Sequence, residues 1–133
     1  MRALVIDDDE NVSAAIQTML ARQEFHTVLA SRAHAGIHAL DESKFDVVIV
    51  DLFIPGMSGL DTIRTIRQKA PGMPIVAMTG FRFRPAIKAD LDFLTLAVAR
   101  GATSCIRKPF TPVQLIEAIN ESISAAPSRD GLS

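Results

Sequence analysis

Short aliphatic runs alternate with stretches of helical period along nearly the whole chain. Ala3 to Ile6 predicts a buried strand. From Asn11 to about Gln23, residues Val12, Ala15, Ile16, Met19 and Leu20 recur at three- and four-residue steps, which predicts a helix with one apolar stripe. His26 to Ala30 predicts a second strand, and Ser31 is placed to cap a helix whose Ile37 and Leu40 face the core. Asp46 to Val50 is apolar on both faces, as a central parallel strand must be. Ser58 is placed to cap a helix carrying Leu60, Ile63 and Ile66, which ends before Pro71-Gly72. Pro74 to Met78 gives a fourth strand. Pro85 suits the first turn of a longer helix that reaches about Arg100, with Gly101 as its stop. Ser104 to Arg107 is a fifth strand. Thr111-Pro112 then opens a last helix with Leu115, Ile116, Ile119 and Ile123 on one side. Strict strand–helix alternation predicts an α/β fold, a doubly wound five-stranded parallel sheet with helices on both faces. Such sheets place their chemistry at the carboxyl ends of the strands.

Composition narrows the picture without deciding it. A chain of 133 residues suits one domain, expected over residues 1–124, and the small, polar segment 125–133 predicts a disordered tail. With no Trp or Tyr and seven Phe, the core must be mostly aliphatic. A formal charge of −1 gives no general attraction for nucleic acid or for an anionic membrane surface, so neither is expected as a partner. Cys105 is the only cysteine, which excludes an intramolecular disulfide and fits a reducing, cytoplasmic setting. Leu4-Val5-Ile6 is broken at once by Asp7-Asp8-Asp9-Glu10, so no signal peptide is expected there, and the run Val47 to Val50 is far too short to span a bilayer.

The residues that can do chemistry fall at predicted strand ends. Asp7 and Asp8 follow the first strand, Asp51 the third, Thr79 the fourth and Lys108 the fifth. In a parallel sheet these ends share one edge, so three carboxylates, a hydroxyl and an ammonium should converge. Three such carboxylates stay ionised together only with a cation among them; otherwise their pKa values rise. Oxygen donors without nearby Cys or His favour a hard ion, and Mg²⁺ fits best. Each piece also has a plainer reading. Acids after a strand often just begin a helix, where the dipole favours them, and that explains Asp9 and Glu10 well and Asp7 and Asp8 partly. A lone strand-end Asp is more often a turn former, and Thr79-Gly80 or Lys108-Pro109 alone is an ordinary turn. Their joint occurrence at four of five strand ends is what points to a site.

Taken together, Val5-Ile6-Asp7-Asp8-Asp9-Glu10, Val48 through Gly59, Met78-Thr79-Gly80 and Lys108-Pro109-Phe110 resemble the receiver domain of response regulators in two-component signalling, over residues 2 to 124. The resemblance implies a flavodoxin-like receiver fold, in a stand-alone form like the chemotaxis regulators, and a phosphoryl-accepting switch rather than an enzyme. Asp51 would take the phosphoryl group from a sensor histidine kinase or a histidine phosphotransfer protein. Asp8 would ligate Mg²⁺ directly, Asp7 through water, and the backbone carbonyl of Phe53 would be a further ligand beside Asp51. Thr79 would hydrogen-bond the phosphoryl group and Lys108 would pair with it. Mg²⁺ and Lys108 together would lower the repulsion between a carboxylate and an anionic phosphoryl group. Pro55 and Gly59 would shape the loop after Asp51.

The sequence departs from that family in two places. Cys105 stands where an aromatic ring usually swings inward on activation, and the stretch from Thr79 to Lys108 is longer than usual. The expected consequence is that Phe81, Phe83 and the following segment supply the bulk that a thiol lacks. Ile87, Leu91, Leu94 and Val98 form an apolar stripe there, either core-facing or a partner surface. An Asp-nucleophile phosphohydrolase is the alternative function, but such enzymes usually carry a general-acid Asp two residues after the nucleophile, where this chain has Phe53. A flavin-binding domain would need a hydroxyl- and Gly-rich loop where four acids stand. His26, His34 and His38 are expected as solvated surface residues, and the Phe81–Arg84 alternation of rings and cations as a loop.

Overall fold

The computed structural model describes residues 1–80 and 95–125. Their elements are β1 (Arg2–Ile6), α1 (Glu10–Ala21), β2 (His26–Ala30), α2 (Ala33–Glu42), β3 (Val47–Asp51), α3 (Gly59–Lys69) and β4 (Ile75–Thr79). A helical stretch α4 at residues 95–100, β5 (Ser104–Arg107) and α5 (Pro112–Ala125) follow. All strand pairs are parallel and the order is β2-β1-β3-β4-β5. The doubly wound architecture is therefore as the sequence predicts. The chain passes from β1 out to β2 and then back across to β3, so the carboxyl ends of β1 and β3 flank the point where strand order reverses.

The inner strands β1, β3 and β4 are apolar over most of their length because both of their faces are covered. Leu4, Ile6, Val48, Val50, Ile75 and Ala77 belong to one buried cluster with Ile63, Ile66 and Ala97. Their sequence neighbours Ala3, Val5, Val47, Ile49, Val76 and Met78 belong to the other, with Ile16, Leu20, Leu115 and Ile119. Alternation with period two thus splits each strand between two cores, and a one-residue slip in register would exchange them. Helix α2 comes so close to β1 that a Cβ on Gly36 would lie 2.4 Å from Ile6 Cδ1. Buried hydroxyls fasten α5: Ser104 Oγ donates to Ala118 O at 2.8 Å and lies 2.6 Å from Ser122 Oγ.

Several boundaries differ from the sequence expectation for identifiable reasons. Helix α1 begins at Glu10 because Asp9 caps it by accepting from the backbone N–H groups of Asn11 and Val12, and it ends at Ala21. Its inward face takes Ser13 with Ile16 and Leu20, while Ala15 is exposed. Arg32, not Ser31, occupies the N-cap of α2, and no side-chain hydrogen bond caps it. Ser58 is at the N-cap of α3, but only its carbonyl is engaged there, by Thr62. Strands β3 and β4 run one residue further than predicted, so that Asp51 and Thr79 are their last residues. Gly101 stops α4 in a left-handed conformation (φ 126°), as expected, with its N–H on Ala97 O. On α4, Ala97 is buried and Val98 is 56% exposed, so Val98 does not continue a core-facing stripe. The expectations for Phe81–Arg84, Pro85, Ile87, Leu91, Leu94 and the tail beyond Ala125 lie outside the described residues.

Candidate functional site

The four acids after β1 divide their labour. Asp7 extends the sheet, its N–H donating to Ala30 O at 3.0 Å, and its side chain is buried at the strand end. The N–H of Asp9 donates to Asp7 Oδ1 at 2.9 Å, an Asx-type turn that fixes the carboxylate's direction. Asp8 is exposed, Asp9 is the helix cap, and Glu10 lies in the first helical turn where the dipole favours it. So the plain helix-start reading holds for the second pair of acids and fails for the first.

Asp51 repeats the geometry of Asp7. The N–H of Phe53 donates to Asp51 Oδ1 at 2.9 Å, while Leu52 N–H continues the ladder to Met78 O. The following loop turns back tightly enough that a Cβ on Gly59 would sit 2.1 Å from Leu52 O, so only glycine fits. Gly56, with φ 98°, makes the left-handed turn inside the same loop. The sequence reading had named Pro55 and Gly59 but not Gly56. Nor had it found the two aspartate turns, although a strand-end Asp followed by backbone N–H groups is the signal for them.

Lys108 joins the two strand ends. Its N–H donates to Thr79 O at 2.8 Å, and its Nζ donates to Asp7 Oδ2 at 2.6 Å and to Asp51 Oδ2 at 2.9 Å. Burial pushes the Asp7 carboxyl above its ordinary value, against the opposing pull of Lys108 and the Asp9 N–H. Burial alone would lower the Lys108 ammonium, but its hydrogen bonds to Asp7 and Asp51 outweigh that and hold its pKa above the ordinary lysine value. Thr79 is fully buried, and its Oγ1 has no hydrogen-bond partner, which is costly for an enclosed hydroxyl.

One carboxylate oxygen from each of Asp7, Asp8 and Asp51 lies within 4.8 Å of the others, the sole such metal-capable group among the described residues. An all-oxygen set of this charge fits a hard divalent cation. Beside Lys108 opens a cleft of about 380 Å³ whose far wall is apolar, formed by Val12, Ala15, Met19 and Phe110. The histidines are elsewhere: His26, His34 and His38 are all exposed, and His38 lies 2.8 Å from Glu42 one helical turn on. Cys105 is half-buried against the core on the α3 side, where burial raises its thiol and keeps it protonated at neutral pH.

A sequence profile described as "Response regulator receiver domain" matches residues 3–120. Among curated relatives, "DNA-binding response regulator MtrA" of Mycolicibacterium paratuberculosis is 32% identical over 118 residues, covering 89% of this chain and 49% of its own length. "Cell cycle transcriptional regulator CtrA" of Caulobacter vibrioides is 28% identical over 120 residues, covering 90% and 49%. The chain thus spans about half the length of the curated relatives it matches. Among solved structures, a response regulator receiver domain protein from Clostridium thermocellum superposes with a TM-score of 0.81 at 34% identity, over 92% of this chain and 94% of that one.

Proposed function

This chain belongs to the response regulator receiver family, and from that premise we propose that it is a switch phosphorylated on Asp51 with the help of Mg²⁺. As a member of that family it is a signalling switch of two-component systems rather than a classical enzyme. The finer reading rests most on one observation. The Thr79 hydroxyl is buried without a partner at the same sheet edge as the Asp51 carboxylate. A hydroxyl enclosed at such cost is well used if an incoming anion accepts its proton.

In this reading the donor is a phosphohistidine on a sensor kinase or a histidine phosphotransfer protein. An oxygen of Asp51 attacks phosphorus, the P–N bond to the imidazole breaks, and an acyl phosphate forms. Asp7, Asp8, Asp51 and the carbonyl of Phe53 would hold the divalent cation, which supplies positive charge against the repulsion between carboxylate and phosphoryl oxygens. The Phe53 N–H fixes the orientation of the acceptor carboxylate. Thr79 donates to one phosphoryl oxygen, and Lys108, already beside Asp51 Oδ2, pairs with another. The apolar cleft beside Lys108 offers the donor protein a wall to press against, so that water is excluded during transfer.

We assign the domain to residues 1–124. Two of the relatives are named as a DNA-binding and a transcriptional regulator, and each is about twice as long as the matched stretch. We assign any such output to parts of those proteins outside that stretch and read these residues as acting on partner proteins in the cytoplasm. Among the described residues no helix is long and apolar enough to cross a membrane. The phosphohydrolase alternative gains nothing from the site, since Phe53 offers a backbone N–H where a general acid would be needed. Intact-mass measurement after incubation with acetyl phosphate and Mg²⁺ tests the reading. The native chain should gain one hydroxylamine-labile phosphoryl group, and Asp51→Asn should gain none. Equal labelling of the variant would move the acceptor elsewhere.

A further inference from the structure

A second cavity, of about 810 Å³, opens at the amino end of the sheet, and none of Asp7, Asp51, Thr79 or Lys108 lines it. Small-ligand sites span roughly 300–1,000 Å³, so its size suits one. Its apolar wall is formed by Leu40, Phe45, Ala70 and Met73, of which Phe45 and Met73 belong to the buried core. Arg2, Lys44 and Lys69 bring positive charge to it, and Asp41 and Asp46 bring negative charge. Lys69 is paired with Asp41 at 2.9 Å, and Asp46 Oδ2 accepts the Arg2 backbone N–H at 2.7 Å. The Arg2 guanidinium lies over the Phe45 ring, its Cζ 5.6 Å from the centroid, so a buried aromatic face holds it at the cavity wall. Among the described residues, Nε of that guanidinium has no hydrogen-bond partner, although it is buried. The carboxyl end of α3, whose dipole would disfavour an anion, is covered: Arg67 Nη1 donates to Ala70 O and Pro71 O at 3.3 and 2.6 Å.

We propose that this cavity binds a small organic monoanion, a carboxylate on an apolar ring or chain, with the Arg2 guanidinium taking the carboxylate and Phe45 and Met73 the apolar body. The chemistry of the lining selects that class. A guanidinium is a planar fork of donors that matches a carboxylate. Its unpartnered Nε–H is satisfied only by an acceptor, so a cation or a plain hydrocarbon would leave that cost in place. Nε is shielded from solvent, so binding includes a small turn of the guanidinium that brings its Nε edge to the carboxylate. The lining carries one more positive than negative side chain, which admits one negative charge. A dianion such as phosphate would face Asp41 and Asp46 with a charge left over, and it would gain nothing from the apolar wall. Lys44 is exposed and adds attraction for an approaching anion. Arg2 begins β1, and Phe45 and Asp46 lead into β3, so the ligand would touch the opposite ends of the two strands that lead to Asp7 and Asp51. The domain would thus take a small-molecule input at the edge opposite its phosphorylation site.

Proton–nitrogen correlation NMR of the full chain, titrated with cinnamate, its neutral analogue cinnamamide and inorganic phosphate, tests this. Arg2→Lys assigns the Arg2 Nε–H resonance by removing it. In the native chain, millimolar cinnamate should move that resonance saturably, together with the backbone N–H of Phe45. Cinnamamide should bind about tenfold more weakly, the scale of one charge-assisted hydrogen bond. Arg2→Lys, followed at the Phe45 N–H, should also lose about tenfold in cinnamate affinity, because an ammonium offers no fork. Arg64→Met removes an exposed cation of α3 that does not line the cavity, and it should bind cinnamate like the native chain. Equal binding of cinnamamide would reduce the site to an apolar groove and overturn the proposal. Phosphate binding as tightly as cinnamate would reduce it to a cationic patch and overturn it too. So would the absence of any saturable shift at the Arg2 Nε–H, or native cinnamate affinity in Arg2→Lys.

Discussion

The two ends of the sheet carry the same kinds of charged residue and use them in opposite ways. At the amino end, the charged side chains lie nearer the surface. Lys69 lies 2.9 Å from Asp41, with side chains 35% and 56% exposed, and the Arg2 N–H donates to Asp46 while its guanidinium lies over the Phe45 ring. At the carboxyl end, one lysine serves two almost fully buried aspartates, a third aspartate stands beside them, and a threonine hydroxyl has no partner. Burial and stoichiometry separate the two, not residue type. The amino end also buries a donor without a hydrogen-bond partner, Arg2 Nε, but its ion pair is exposed to solvent; the carboxyl end is short of positive charge and of a hydrogen-bond acceptor where solvent is excluded.

The sharpest way to break this comparison is to remove the lysine from each end. In EDTA, Lys108→Met should lower unfolding free energy by about 3 kcal/mol, because it leaves two buried carboxylates facing each other without a counter-ion. Lys69→Met should cost less than about 0.5 kcal/mol, as exposed pairs usually do. Denaturant melts of both variants measure the gap. Millimolar Mg²⁺ should then restore much of the loss in Lys108→Met and none in Lys69→Met, by linkage to the folded state. Similar costs at the two ends would mean that burial does not distinguish them.

The sequence carried this contrast only in part. Asp7, Asp51, Thr79 and Lys108 were legible as strand-end residues because a central parallel strand is an unbroken apolar run, and the first polar residue after it marks the edge. The two cores were legible for the same reason. What could not be read is pairwise. That Lys108 reaches Asp7, 101 residues away, depends on strand order, and periodicity carries no strand order. The orphaned Thr79 hydroxyl is likewise a property of its surroundings. Errors at helix starts have a local cause. Ser31 and Arg32 compete for one N-cap, and the backbone path chose the residue without a capping oxygen, while Ser13, absent from the predicted apolar stripe, turns its hydroxyl inward to Asp7 O. Gly36 and Gly56 were also missed, since a close approach or a left-handed turn depends on neighbours in space.

A smaller effect sharpens the same contrast through pH. The Asp7 carboxyl is raised above its unfolded value of 3.8, chiefly by burial, so the folded state binds that proton more tightly than the unfolded chain does. Stability from this group is present below pH 3.8 and is lost as pH rises through the folded value, which makes ionised Asp7 a net cost at neutral pH. Asp7→Asn should therefore raise stability at pH 7 in EDTA, with the advantage closing below pH 3.8. Urea melts at the two pH values check it. A destabilised Asp7→Asn at pH 7 would mean that the Lys108 contact outweighs burial.

The smallest effect is expected at the amino end, where strain rather than charge is the imperfection. Glu24 sits just past the end of α1 with φ 63°, its N–H on Ala21 O, and the next N–H, of Phe25, reaching back to Leu20 O. That is the position of a helix-terminating glycine, occupied here by a residue with a Cβ. A left-handed conformation costs a non-glycine residue roughly 1–2 kcal/mol, and glycine gives back part of that gain through its freer unfolded chain. Glu24→Gly should thus stabilise the domain by about 0.5 kcal/mol, visible as a higher denaturant midpoint at constant slope. Because the turn lies at the end of the sheet that holds none of Asp7, Asp51, Thr79 or Lys108, acetyl phosphate labelling and Mg²⁺ affinity should stay at native values. If relieving strain there changes either one, the two ends are coupled through α1, and the surplus of negative charge beside Lys108 is not a local property of the carboxyl edge.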